Sequence, residues 1–202
     1  MPRLLHVIGS PRQDRSASLE VANAFIQAWR RKHADGEVDT LDIWHCDLPE
    51  FDGPILDAKY AGIQGQALSA EQEHAWTIAQ QLAQRFKAAD VLLFGVPCWN
   101  FGIPYKLKQL FDVVSQKDLL FTFDERGLNG LLGGRQALVI AARGAALDRQ
   151  EHQESYWRTW CAMVGVDRMH TLVLEKTLFG PEVDRAARDQ ASREAVALAD
   201  RL

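Results

Sequence analysis

Five short apolar runs, each of strand length and rich in β-branched residues, alternate along the chain with stretches whose apolar residues return every three or four positions. The runs are "LLHVIG" (4–9), "EVDTLDI" (37–43), "VLLFGVP" (91–97), "QALVIAA" (136–142) and "MHTLVLE" (169–175). Helices are expected at 16–33, 70–88, 104–116, 150–164 and 182–201; in the first, Leu19, Ala22, Phe25, Ile26 and Trp29 share one face. This alternation constrains the fold more than any other feature. It implies an α/β chain with right-handed crossovers and a parallel sheet covered by helices on both faces. "EVDTLDI" alternates and suits an edge strand with one wet face, whereas "VLLFGVP" is apolar throughout and suits the centre. With one strand–helix pair before the edge strand and three after it, the doubly wound order 2-1-3-4-5 is expected. Segments 47–69 and 117–134 are longer than a strand–helix connection requires, and long loops in compact domains are usually functional.

The totals narrow the classes. A chain of 202 residues, 47% apolar and 25% charged, is expected to form one domain over 1–202 with a sizeable core. Neither an internal repeat nor a low-complexity tract interrupts it. The net charge of -4 and the dispersed cations argue against nucleic acid and against an anionic membrane surface. Cys46, Cys98 and Cys161 are an odd number at unrelated spacings, which fits a reducing compartment better than a disulfide framework. The opening "MPRLLHVIGSPR" has too short an apolar run for a signal peptide, and no stretch approaches the ~20 apolar residues of a membrane span. A cytoplasmic location is expected.

In doubly wound sheets ligands bind beyond the carboxyl ends of the strands, where the strand order reverses. Three loops lie there. "IGSPRQDRSAS" (8–18) follows the first strand and leads into the first helix. A helix N-terminus offers unpaired N–H groups and a partial positive charge, to which Ser10, Ser16 and Ser18 add hydroxyls, so a phosphate is well served. Taken alone, the loop reads equally as an N-cap at Ser16 and a turn at Ser10. It carries neither a Walker A pattern nor Gly-x-Gly-x-x-Gly. "VPCWNFGIPYKLKQLFD" (96–112) follows the central strand as a stiff turn with a flat apolar surface, able to line the edge of a planar ligand. Trp99 and Phe101 also admit a core reading, but core aromatics rarely need flanking prolines and an asparagine. In "IAARGAALD" (140–148) small residues allow close backbone approach, and Arg143 either faces an anionic ring or pairs with a surface carboxylate.

These motifs, "GSPRxxxSxS", "PxWNFxIPxxLKxxxD" and "ARGA", together with "LLFTFDERGLNGLLGGRQALVI" (119–140), resemble the FMN-dependent NADH azoreductases, which are also NADH:quinone oxidoreductases. The resemblance covers nearly the whole chain. It implies a flavodoxin-like fold, a homodimer with the flavin at its interface, and one tightly bound FMN per subunit. Carried over by motif, Ser10, Ser16, Ala17 and Ser18 would hold the phosphate. Cys98, Trp99, Asn100 and Phe101 would meet the ring, and Ala142, Arg143, Gly144 and Ala145 its pyrimidine side. Phe123 would lie in the substrate pocket. The chain departs from the family's usual residues at Trp99 and Phe123, where tyrosine is common, and at Ala142 and Ala145, which replace serine and glycine; the ring site is altered, not abolished.

The activity so implied is transfer of two electrons from NADH or NADPH to a quinone or azo compound, in ping-pong order, with the chemistry carried by FMN and no catalytic side chain assigned. A non-catalytic FMN-binding electron carrier or redox sensor would share every contact. An enzyme of phosphomonoesters without flavin would use the first loop alone and leave the aromatic turn unexplained. The histidines show no metal-ligand spacing, Cys98 has no base near it in sequence, and no Gly-x-Ser-x-Gly elbow occurs.

Overall fold

The computed structural model describes residues 1–125, 127–147 and 151–202. Position 148 of the third loop and position 150 of the expected fourth helix lie outside the described residues, as does position 126. Strands β1 (Arg3–Ile8), β2 (Glu37–Asp42), β3 (Val91–Pro97), β6 (Gln136–Ala142) and β7 (Arg168–Leu174) form one parallel sheet in the order β2-β1-β3-β6-β7. Counted among these five strands, that is the expected 2-1-3-4-5, the flavodoxin-like arrangement. Helices α1 (Ala17–Lys32), α2 (Gly53–Gln64), α3 (Ala70–Ala88), α4 (Tyr105–Val114), α5 (Gln153–Val164) and α6 (Pro181–Ala199) complete it, with β4 (Phe121–Asp124) and β5 (Gly127–Gly130) as an antiparallel hairpin.

The period-two alternation of β3 explains the two cores. Val91 and Leu93 face α1 and α6, where they meet Phe25, Trp29, Ala195 and Leu198. Leu92, Phe94 and Val96 face α3, α4 and α5, where they meet Phe86, Phe111, Trp157 and Trp160. All four of those aromatic rings lie within 6.4 Å of Phe94, and Phe111 stacks on Trp160 at 4.2 Å. β2 is the edge strand, and its outward acids are paired: Glu37 with Arg3 at 2.9 Å and Asp39 with Arg85 at 2.6 Å. α1 and α6 are further tied by Glu20, which accepts from Arg185 and Arg188 at 2.7 Å each.

Two expectations are corrected. Segment 47–69 contains α2, started by Pro54 in its first turn and ended by Gly65 at φ +68°. Segment 117–134 contains the β4–β5 hairpin. Smaller shifts fall at helix ends: α4 begins at Tyr105 with Pro104 outside it, and α5 begins at Gln153.

Candidate functional site

At the carboxyl ends of β1, β3 and β6 the three loops close around one cleft of about 190 Å³. It is lined by Ser10, Ser16, Ala17, Ser18, Cys98, Trp99, Ala142 and Gly144, all expected, and also by Arg12, Pro97, Thr177 and Leu178. The close approach of the strand ends requires Gly9, where a Cβ would stand 2.5 Å from Val96 Cγ1.

The serine loop forms the polar end. A short 3₁₀ turn, Gln13–Arg15, brings Ser16 to the N-cap of α1, where its hydroxyl accepts from the Leu19 N–H at 3.4 Å. The N-cap reading is therefore correct, and it does not exclude an anion. Ser16 Oγ lies 3.1 Å from Ser18 Oγ, Ser10 Oγ accepts from the Arg12 N–H at 3.4 Å, and all three serines are buried. Among the described residues nothing accepts from the N–H groups of Ala17 and Ser18, the first of α1, so two donors join the hydroxyls at the positive end of the helix. The exposed Arg12 adds a cation.

The aromatic loop is a tight turn. Trp99 and Gly102 exchange both backbone hydrogen bonds, at 3.0 and 2.9 Å, with Asn100 at φ +48° and Phe101 at φ +67° between them. A left-handed phenylalanine costs on the order of 1–3 kcal/mol, which persists only where surrounding contacts impose it. Trp99 and Phe101 are 37% and 48% exposed, which rules out the core reading. The N–H groups of Asn100 and Phe101 have no acceptor among the described residues. Trp44 packs beside this turn, 5.9 Å from the Trp99 ring and 5.6 Å from Tyr105. A second, more open hollow of about 490 Å³ shares Trp99 and takes in Asn100, Tyr105, Lys108, His152 and Tyr156.

The third loop behaves differently from expectation. The Arg143 guanidinium does not line the cleft; it pairs with Glu151 at 3.1 Å and Glu175 at 3.3 Å. Of the two alternatives for Arg143, the carboxylate partner is the one observed: Glu175 lies at the surface with its side chain 37% exposed, and Glu151 holds its side chain 8% exposed. The Arg143 carbonyl accepts from Thr177 N–H and Oγ1, which carries Thr177 and Leu178 into the cleft wall. Ala145 is exposed and Phe123, 56% exposed on the hairpin, pairs across it with Leu128; neither lines the cleft.

Titratable groups near the cleft are tuned toward neutrality or charge by their surroundings. Burial, reinforced by Glu151, holds the Cys98 thiol above its ordinary range, so it is no thiolate nucleophile. Burial pushes Asp42 upward, but hydrogen bonds from Gln13, His45 and the Trp44 N–H outweigh it and keep the carboxyl below its usual value. Burial lowers His6 to about 4 against the opposing charge of Asp42. No cluster of His, Cys, Asp or Glu suited to a metal occurs among the described residues.

A doubly wound sheet with a serine-lined helix N-terminus and a flat aromatic turn at its switch point defines the flavodoxin-like class of α/β proteins. Comparison with known proteins agrees. The model of a family described as having a flavodoxin-like fold matches residues 2–199, and the chain belongs to that family. It is 49% identical over 197 residues to FMN-dependent NADH:quinone oxidoreductase 9 of Burkholderia lata, covering 92% of this chain and 94% of that one. It is 44% identical over 211 residues to FMN-dependent NADH:quinone oxidoreductase 3 of Pseudomonas fluorescens, covering 100% and 98%. The crystal structure of an azoreductase from Bacillus anthracis superposes with a TM-score of 0.90 at 24% identity over 100% of both chains.

Proposed function

We propose that the protein is an FMN-dependent oxidoreductase that passes two electrons from NADH or NADPH to quinones and azo compounds, its whole length serving as one FMN-binding domain. The convergence of three serines, two open helix N–H groups, Cys98 and the Trp99 indole in one cleft carries this reading. The donor set fits FMN: hydroxyl and N–H donors for a phosphate monoester at one end, and paired N–H groups with an indole for a planar heterocycle at the other. Relatives so named cover nearly the whole chain.

When bound, FMN supplies the centre that takes hydride from nicotinamide and returns electrons to the acceptor. The chain's own residues bind and orient. Ser10, Ser16 and Ser18, with the Ala17 and Ser18 N–H groups, would hold the phosphate; the Asn100 and Phe101 N–H groups would meet one edge of the ring, and Ala142 with Gly144 the other. Cys98 and Trp99 would face the ring. Arg143 acts on this loop through its ion pairs. We assign Phe123, exposed on the hairpin, to the acceptor pocket of a homodimer, in which exposed Trp99, Phe101 and Phe123 would be covered. A cytoplasmic site of action accords with three free cysteines, and no helix among the described residues is long and apolar enough to cross a membrane.

The purified protein should be yellow, and anaerobic NADH or NADPH should abolish its visible flavin absorbance, which a quinone then restores. A colourless protein that takes up no added FMN overturns the reading. Bound FMN that neither nucleotide reduces would make the protein a carrier or sensor.

A further inference from the structure

The helix α5 opens at a junction of both loops that grip the cleft. Gln153 is 1% exposed, and its side-chain amide donates from Nε2 to the Pro97 carbonyl at 3.0 Å and to the Gly102 carbonyl at 3.4 Å. With two carbonyls facing it, only the amide nitrogen can serve there. The preceding residue adds a third tie: the His152 N–H donates to the Phe101 carbonyl at 2.7 Å. Glu151 then fixes the end of the helix, accepting from the Gln153 N–H at 2.6 Å and the Glu154 N–H at 2.9 Å while pairing with Arg143 at 3.1 Å. Arg143 belongs to the loop after β6. Three consecutive residues of α5 and its approach thus hold the carbonyls on both sides of the left-handed Asn100–Phe101 pair and, through Arg143, the opposite wall.

The Trp99, Phe101 and Gly102 carbonyls of this turn are occupied, whereas among the described residues the N–H groups of Asn100 and Phe101 have no acceptor. Left-handed φ at two successive non-glycine residues needs an outside constraint, and Gln153 supplies the buried side-chain part of it. We propose that Gln153 is a positioning residue that aims the Asn100 and Phe101 N–H groups at the ring edge and so sets the relative affinity for oxidised and reduced FMN. The inference rests on the FMN reading above. On reduction the negative charge builds on the pyrimidine side, which Ala142 and Gly144 would meet, whereas the nitrogen at the other edge changes from hydrogen-bond acceptor to protonated donor; an N–H fixed toward that edge therefore favours the oxidised form over the reduced one. Loosening the turn therefore weakens binding of oxidised flavin more than binding of reduced flavin, and the phosphate end of the cleft is left as it was.

The test uses the full-length protein reconstituted with FMN. Gln153→Met keeps the side chain's length without its donor; Gln153→Asn keeps an amide too short to reach both carbonyls, and serves should the first variant fold poorly. Both should bind oxidised FMN within tenfold of the unaltered protein by fluorescence titration. Both should raise the ratio of reduced-to-oxidised affinity three- to tenfold, a rise in two-electron midpoint potential of up to about 30 mV, with an altered visible band shape. A lowered melting temperature with an unchanged potential and spectrum would make Gln153 a structural residue only and overturn the proposal. Loss of FMN binding in both variants would make it a binding residue and overturn it as well. Failure of the unaltered protein itself to take up FMN would remove the reading beneath it, and the proposal with it.

Discussion

Ser16 shows how one side chain can serve fold and ligand together. Its hydroxyl caps α1 and lies beside Ser18 Oγ in the cleft, so Ser16→Ala should cost about 1 kcal/mol of stability through the lost cap. Ser69 offers the calibration: it caps α3 in a complete capping box far along the chain from the serine loop. Ser69→Ala should cost a similar amount and leave FMN affinity unchanged. Ser16→Ala with Ser18→Ala should weaken FMN binding roughly a hundredfold or more, because hydrogen bonds to charged groups contribute ~1.5–3 kcal/mol each. Fluorescence titration of the apoprotein, beside urea unfolding, separates the two effects; an unchanged FMN affinity would remove the phosphate role from this loop. His6 gives a second residue-scale prediction. It is 2% exposed on β1, and burial lowers its pKa from 6.5 to about 4, so the unfolded chain binds the extra proton between those values. Stability from this group is full above pH 6.5 and falls as pH drops toward 4, by an amount on the order of 3 kcal/mol. His6→Val should flatten that part of the urea-midpoint profile; an identical slope in both proteins would contradict the assignment.

Elements differed in how plainly the sequence announced them. The five sheet strands were legible because burial on one or both faces writes a period of two or an unbroken apolar run, as in "VLLFGVP". α2 was not, although Pro54 and Gly65 are ordinary start and stop signals. Only Ile55, Ala58 and Ala61 of its residues are buried, while Tyr60 and Ile63 are exposed, so no clear apolar stripe marks it. The four-residue strands of the hairpin were too short, and "GLNG" too poor in β-formers, to stand out. The cleft was legible wherever its residues lie in the strand-end loops. Thr177 and Leu178 escaped notice because they enter only through hydrogen bonds to Arg143 and Gly144, and Gln153 because its partners lie more than fifty positions away. Arg143 belongs to this scale as well. With its side chain 11% exposed and Glu151 8%, removing one partner leaves a buried charge, and Arg143→Met should destabilise by about 3–5 kcal/mol. A double-mutant cycle with Glu151→Gln measures the coupling, and additive effects would show that the pair is not coupled.

For the whole molecule, one cleft at the carboxyl end of the sheet implies that nicotinamide and acceptor take turns. Rates against NADH at several quinone concentrations should give parallel double-reciprocal lines, whereas intersecting lines would mean both substrates bind together. The exposed Trp99, Phe101, Tyr105, Phe123, Leu178 and Phe179 lead to the expectation of twice the chain mass by light scattering, and a monomer holding active FMN at micromolar concentration would refute the dimer. The pairing of α1 with α6 has a consequence for biogenesis. Phe25 and Trp29, both at most 1% exposed, share a core with Ala191, Ala195 and Leu198, and Lys32 reaches the Asp200 carbonyl at 2.9 Å. The second helix of that face, α6, therefore leaves the ribosome after every strand and helix it packs against. A growing chain can close the α3–α4–α5 side early, but α1 must carry a bare apolar flank until residues 181–199 emerge. That interval is when the nascent protein most depends on chaperones, and it makes α6 the segment whose loss would most readily turn the folded protein into an aggregate.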